Sequence, residues 1–170
     1  ATLRTALDYL RRTQESDGSW YGRWGMNYIY GTWSVLCAFA AAGVDRNAPE
    51  MRRAVVWLVT TVNADGGWCE HGNCYELDHR KHQAAPSTPS QTAWALLGLI
   101  AAGEADSLAA QRGVDYLLGT QQPNGTWHET EFTGTGFPRV FYLRYHYYGL
   151  YFPLMALARY AKSQPAGRGT

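Results

Sequence analysis

Nine of the 21 residues at positions 132–152 are aromatic. If the chain is helical after Pro138, then Phe137, Phe141, Tyr145 and Tyr148 recur at steps of four, four and three and share one helix face. Such a row has two physical uses. It can pack a core, which is the commoner use of an aromatic stripe, or it can present ring quadrupoles to a cation. Tyr147, Tyr151 and Phe152 fit the packing use.

A second group with chemical potential lies in one polar loop. Cys69, His71, Cys74, His79 and His82 are all zinc-ligating types. Their spacing fits no standard finger, and His79, Arg80, Lys81 and His82 read equally well as a solvated loop. We expect no metal and no cofactor.

Composition narrows the class. The chain has 170 residues, 46% of them apolar, and a formal net charge of +1. That length fits one domain or a piece of one. The basic residues form no block, which argues against a nucleic-acid partner. Seven Trp and 12 Tyr are many for this length, so aromatic packing or aromatic chemistry is central. Cys37, Cys69 and Cys74 make an odd number and imply no disulfide framework. No apolar run reaches the roughly 18 residues of a spanning helix, which leaves attachment to one membrane face open. The chain opens without Met in what reads as a helix, so we expect a piece of a longer protein.

The elements that must position the aromatic row come from a repeat. Ala6, Tyr9, Leu10, Gln14, Gly18 and Trp20 form one unit, and Gly113, Tyr116, Leu117, Gln121, Gly125 and Trp127 form another. Ala54, Trp57, Leu58, Val62, Gly66 and Trp68 are a degenerate copy, with Val62 in place of Gln. The final tryptophans lie 48 and 59 residues apart, the length of a supersecondary unit. In each copy the Tyr-Leu or Trp-Leu pair belongs near the end of a helix. Asp17-Gly18, Asp65-Gly66 and Asn124-Gly125 are turn signals. The Gln can bond the backbone of that turn, and the Trp covers the helix end.

An apolar helix follows each turn. Residues 32–42 and 92–102 both end in Ala-Ala followed by glycine, Gly43 and Gly103, a helix stop. Ser90 is the expected N-cap of the second. The third apolar helix is expected over 145–161, interrupted by Pro153, with Gly149 relieving the crowded turn. Residues 2–13, 50–61 and 107–119 read as amphipathic outer helices. The predicted fold is all-α. Outer and inner helices alternate as three pairs, half of a six-pair α/α toroid. A half ring leaves its inner helices uncovered.

The repeat resembles the QW motif of terpene cyclases. Gln14 to Trp20 and Gln121 to Trp127 carry that resemblance, with Trp68 as a weaker copy. The run GSWYGRWGMNYIYGT at 18–32 resembles the equivalent run of bacterial squalene–hopene cyclases. STPSQTAWAL at 87–96 and GTGFP at 134–138, continuing to Phe141-Tyr142-Leu143, resemble the same enzymes. The resemblance implies that 1–170 is the C-terminal half of an α/α-barrel catalytic domain. It also implies an isomerase that folds squalene in an apolar cavity. An aspartic acid protonates a terminal double bond, ring closures carry positive charge along the substrate, and the last cation gives hopene or hopanol. Such enzymes are monotopic, on the cytoplasmic side of the bacterial membrane.

Residues carry over one at a time. Trp24 matches a cavity-wall tryptophan and Tyr30 a tyrosine near the initiation region. Phe137 and Phe141 match phenylalanines that face developing cations. Tyr145 and Tyr148 match tyrosines that shape the cavity, and Tyr142 ranks below them. Gln14, Gly18, Trp20, Gly66, Trp68, Gln121, Gly125 and Trp127 are structural.

Two departures matter. The family's initiating acid lies in an Asp-x-Asp-Asp motif, and these 170 residues contain none. Glu76-Leu77-Asp78 is no substitute in its polar loop. The loop after Trp68, Cys69-Glu70-His71-Gly72-Asn73-Cys74, also departs from the family pattern. The expected partners are squalene and the remaining domains of a parent cyclase. Three alternatives stay open: an oxidosqualene cyclase, a zinc protein prenyltransferase β-subunit, and a non-catalytic half-barrel that folds or forms a homodimer.

Overall fold

The outer helices form where amphipathic periodicity places them. A computed structural model describes residues 2–76 and 81–165. Its outer helices are α1 (Thr2–Arg12), α3 (Pro49–Thr60) and α5 (Leu108–Thr120). Its inner helices are α2 (Tyr28–Ala41), α4 (Pro89–Ala101) and α6 (Tyr148–Ser163). The inner helix α4 packs between α2 and α6, while α3 and α5 lie against this inner layer. The central helix is buried at every residue from Pro89 to Leu99. At one edge, α1 has no fully buried residue. The architecture is the expected all-α toroid fragment of three outer–inner pairs.

The repeated unit explains how one pair joins the next. Trp20, Trp68 and Trp127 are buried. Each indole N–H donates to the carbonyl ten residues earlier, Leu10 (2.7 Å), Leu58 (2.9 Å) and Leu117 (2.7 Å). Those carbonyls sit in the last turn of an outer helix, where regular intrahelical donors run out, and each is shared with a threonine hydroxyl three residues on, at 3.3–3.5 Å. Gln14 Nε2 donates to Gly18 O at 2.8 Å and Gln121 Nε2 to Gly125 O at 3.0 Å. The Thr32 and Thr92 hydroxyls accept the Trp20 and Trp68 backbone N–H at 3.0 and 2.9 Å, fastening each turn to its inner helix. Gly18 and Gly66 have φ of +98° and +92°. A Cβ on either would sit 2.7 Å from Arg53 O or 2.8 Å from Arg112 O, so each turn seats on the next outer helix. Gln14 also reaches Glu50 O there, at 2.9 Å.

The aromatic row is not one helix face. Residues 134–143 form a hairpin of β1 (Gly134–Phe137) and β2 (Phe141–Leu143), antiparallel with a register irregularity between Thr135 and Phe137. Phe137 and Phe141 are strand residues, Tyr145 lies in the following loop, and Tyr148 opens α6. The reason is local and long-range together. The glycines at 134 and 136 and the proline at 138 disfavour helix, and residues near Trp24 supply a partner edge. Met26 N–H donates to Thr133 O and Thr135 N–H to Trp24 O, both at 2.9 Å.

Three smaller expectations change as well. The third inner helix starts at Tyr148 rather than 145 and runs through Pro153 to Ser163. Thr88, not Ser90, is the N-cap of α4, because Pro89 already occupies the first helical position. Tyr147 and Tyr151 are exposed and do not pack a core, whereas Phe152 does. Leu77, Asp78, His79 and Arg80 lie outside the described residues.

The hairpin turn holds Arg139 at φ 67°, the one non-glycine residue with positive φ among the described residues. Val140 N–H donates to Phe137 O at 3.0 Å and closes the turn. Pro138 suits its second position, but the third favours glycine. Arg139→Gly is therefore expected to raise the urea midpoint, with a gain of about 0.5–1 kcal/mol. A lowered midpoint would contradict the strain reading.

Candidate functional site

The aromatic side chains singled out from sequence come together in two linked groups. The first rests on the hairpin and the loop beside it. Trp24 meets Phe137 with ring centroids 6.5 Å apart at 73°, and Phe137 meets Phe141 at 6.0 Å and 67°. All three are about half exposed, at 50%, 56% and 45%. The Arg23 guanidinium lies 4.9 Å over the Trp24 ring.

The second group lies on the inner helices and the loop that leads into α6. Tyr145 stacks on Tyr148 at 4.5 Å with planes 20° apart. Tyr148 meets Trp94, and Trp94 meets Tyr30. Burial pushes the Tyr148 hydroxyl up to about 12, so it stays neutral.

Two glycines join the groups. Gly25 and Gly134 face each other across an isolated bridge. The Tyr30 ring lies where a Gly25 side chain would be, and a Cβ on Gly134 would sit 2.6 Å from the Tyr145 ring. The hairpin and the inner helices thus close up through the absence of two side chains. Trp24, Phe137 and Phe141 form one aromatic group, and Tyr30, Tyr145 and Tyr148, linked through Trp94, form a second beside it. Phe137 also borders a cavity of about 600 Å³ lined by Tyr21, Tyr28 and Tyr75 and rimmed by Arg23 and Arg139.

Tyr142 plays a different part. Its hydroxyl donates to Gly72 O at 3.2 Å, and its ring lies 6.1 Å from that of Tyr75. Tyr75 is buried and donates to Gly25 O at 2.8 Å. These two residues brace the Trp24 loop against the hairpin. The short 3-10 turn Gly72–Tyr75 that carries this brace belongs to the polar loop. Cys69 and Cys74 are buried there, and burial pushes both thiols up, that of Cys69 to about 12. His71 Nδ1 accepts the Asn73 N–H at 3.2 Å. Among the described residues, no three His, Cys, Asp or Glu side chains are grouped to hold a metal ion.

Two carboxylates escaped the sequence reading. Glu70, two residues after Trp68, is buried and accepts the backbone N–H of Tyr28 at 3.2 Å and that of Ile29. Glu129, two residues after Trp127, accepts the Ser90 N–H and Ser90 Oγ–H, both at 2.8 Å. Each unit thus caps the inner helix of the unit before it, where the helix dipole favours an anion. A Glu at the same offset from two repeat tryptophans was the available signal.

Burial pushes the Glu70 carboxyl up to about 7, despite the opposing N–H bonds. Its folded value exceeds the unfolded one, so its protonated form is favoured in the fold. Its contribution to stability is full below about pH 4.5, falls as pH rises towards 7, and is level above that. Glu70→Gln is expected to remove this loss, up to roughly 3 kcal/mol between pH 5 and pH 8. Thermal midpoints across that range test it. Parallel pH profiles for both proteins would contradict it.

The family model described as squalene-hopene cyclase C-terminal domain matches residues 1–162. The chain is 63% identical over 154 residues to a probable squalene–hopene cyclase of Sinorhizobium fredii, covering 91% of this chain and 24% of that protein. It is 62% identical over 152 residues to the squalene–hopene cyclase of Bradyrhizobium diazoefficiens, covering 89% of this chain and 23% of that protein. The chain thus spans about a quarter of the length of the curated relatives it matches. The type II terpene cyclase MstE from Scytonema, solved with merosterolic acid A, shares the fold with a TM-score of 0.68. It is 21% identical, with 95% of this chain and 50% of that chain covered.

Proposed function

The chain belongs to the squalene-hopene cyclase C-terminal domain family, and we propose that it forms part of the cavity wall on which squalene is cyclised. It is read as half of the α/α barrel of a longer cyclase. The observation that carries this is the pair of aromatic groups, Trp24 with Phe137 and Phe141 and Tyr145 with Tyr148 and Tyr30, that close up through Gly25 and Gly134. Its outer rings are exposed in the chain itself. An apolar patch of that kind is covered by a ligand or a partner surface.

The chemistry favours aromatic faces over other side chains. A carbocation accepts no ordinary hydrogen bond, and a basic side chain beside it removes a proton and ends the cascade. Ring faces offer electron density with little basicity. Each desolvated contact is worth about 2 kcal/mol. It accelerates the reaction because it acts where charge develops. Water exclusion by the apolar wall keeps the cation from early capture.

This chain guides charge and does not create it, since it holds no Asp-x-Asp-Asp motif. The proton donor and the opposite wall belong to the parent enzyme. We place that enzyme on one membrane leaflet, where its lipid substrate resides. No described helix is long and apolar enough to cross a membrane. The test is to supply squalene to the full-length enzyme and to this chain alone, and to separate products by mass spectrometry. The full-length enzyme is expected to give pentacyclic triterpene and the isolated chain none. Cyclic product from the isolated chain would overturn the division of labour. No cyclic product from the full-length enzyme would overturn the function.

A further inference from the structure

Trp94 is fully buried at the centre of the inner layer. It lies on α4, while the two tyrosines it touches lie on the flanking helices, Tyr30 on α2 and Tyr148 on α6. Its ring centroid is 5.2 Å from that of Tyr30 at 77° and 5.8 Å from that of Tyr148 at 78°. Phe152 closes a third side at 5.4 Å and 80°. Among the described residues, Trp94 is the one ring in contact with both tyrosines.

The repeat shows that the fold does not demand this tryptophan. Thr32 and Thr92 occupy equivalent positions and do the same work, each accepting a Trp backbone N–H. Leu36 and Leu96 are equivalent and both fully buried. Between them, the position equivalent to Trp94 is Ser34, whose hydroxyl only bonds Gly31 O within its own helix. Hydrogen bonding does not explain the choice either. The buried Trp94 indole N–H has no hydrogen-bond partner among the described residues, a desolvation cost that a phenylalanine would avoid. What a bicyclic ring adds is reach, enough to make perpendicular contacts with rings on two different helices at once.

We propose that Trp94 is a positioning residue that sets the Tyr30 and Tyr148 rings at fixed angles in the wall and so controls how completely the substrate cyclises. The inference rests on the cavity-wall reading above. Tyr148 in turn fixes Tyr145 by stacking, so an error at Trp94 spreads to three rings of the surface. A loosened ring is displaced from the charge it should face. Ring closure then loses ground to early termination, which gives partly cyclised isomers of squalene.

The experiment compares Trp94→Phe and Trp94→Leu with the unaltered full-length enzyme that carries this domain. The readout is the ratio of partly cyclised to pentacyclic product. This ratio is independent of how much enzyme is folded, so a merely structural role leaves it unchanged. The ratio is expected to rise about tenfold in Trp94→Leu, the change produced by losing one or two such ring contacts. In Trp94→Phe, whose single ring reaches one tyrosine, a two- to threefold rise is expected. An unchanged ratio in Trp94→Leu overturns the proposal. If Trp94→Leu does not fold, an unchanged ratio in Trp94→Phe overturns it. Fluorotyrosine NMR at positions 30 and 148 supplies a readout separate from turnover. Ring signals that sharpen in Trp94→Phe show the release expected, and unaltered signals count against it. An unaltered enzyme that makes no cyclic product defeats the proposed function instead, and the NMR result then decides the positioning role alone.

Discussion

Trp68→Ala is expected to destabilise the fold by about 3–5 kcal/mol, the largest effect of any single truncation in the helical scaffold. Trp68 is fully buried. Its indole N–H satisfies Leu58 O at the end of α3, and its backbone N–H bonds Thr92 Oγ1 on α4. Its ring packs on α5, where a Cβ on Gly113 would lie 2.8 Å from the Trp68 ring. Removing it opens a cavity between three helices and takes from Leu58 O its shortest bond, leaving only the longer ones from Thr61 N–H and Oγ1, both 3.3 Å. A stability this large is a substantial share of what a domain possesses. Trp24→Ala is the control, since Trp24 is half exposed and joins no helices. Urea midpoints should fall steeply for the first variant and little for the second. Equal losses would show that the repeat tryptophans are not what ties the units together.

The scaffold was legible because its signals are local. Gln14, Gly18 and Trp20 repeat within seven residues, and the structure uses them as local bonds within one turn. The helix stops at Gly43 and Gly103 are likewise one-residue signals, both with positive φ. The aromatic row was legible as a concentration of rings but not in its geometry. Spacing of four between Phe137, Phe141 and Tyr145 is what a helix gives. The chain instead pairs 134–137 with 141–143 and with residues near 25, more than a hundred positions earlier. No local periodicity carries that information. The same holds for Tyr75, whose hydroxyl bond to Gly25 O spans 50 residues. Gly25 and Gly134 are seats for the Tyr30 and Tyr145 rings, which nothing in their sequence neighbourhood signals.

Phe141→Ala in the full-length enzyme is expected to divert the greater part of the product to partly cyclised isomers, with slower turnover. Phe141 is on β2, 45% exposed, with its ring beside Phe137. Its exposure means that truncation costs the fold little, so the effect falls on the reaction. Loss of one desolvated ring contact of about 2 kcal/mol slows the step it serves by more than tenfold. Competing deprotonation then takes over at that stage. Substrate binding changes less, because squalene meets the whole apolar wall while the cation meets the ring faces near it.

The most direct test of the ring-face account replaces Phe141 by residues that separate shape from quadrupole. Phe141→Tyr keeps the aromatic face, and Phe141→Leu keeps an apolar side chain without it. Products from squalene are measured for both in the full-length enzyme. The account predicts that Phe141→Tyr retains mainly pentacyclic product while Phe141→Leu shifts mainly to partly cyclised isomers. If Phe141→Leu matches Phe141→Tyr in both product identity and rate, the aromatic surface is a shaped wall and not a cation-stabilising one.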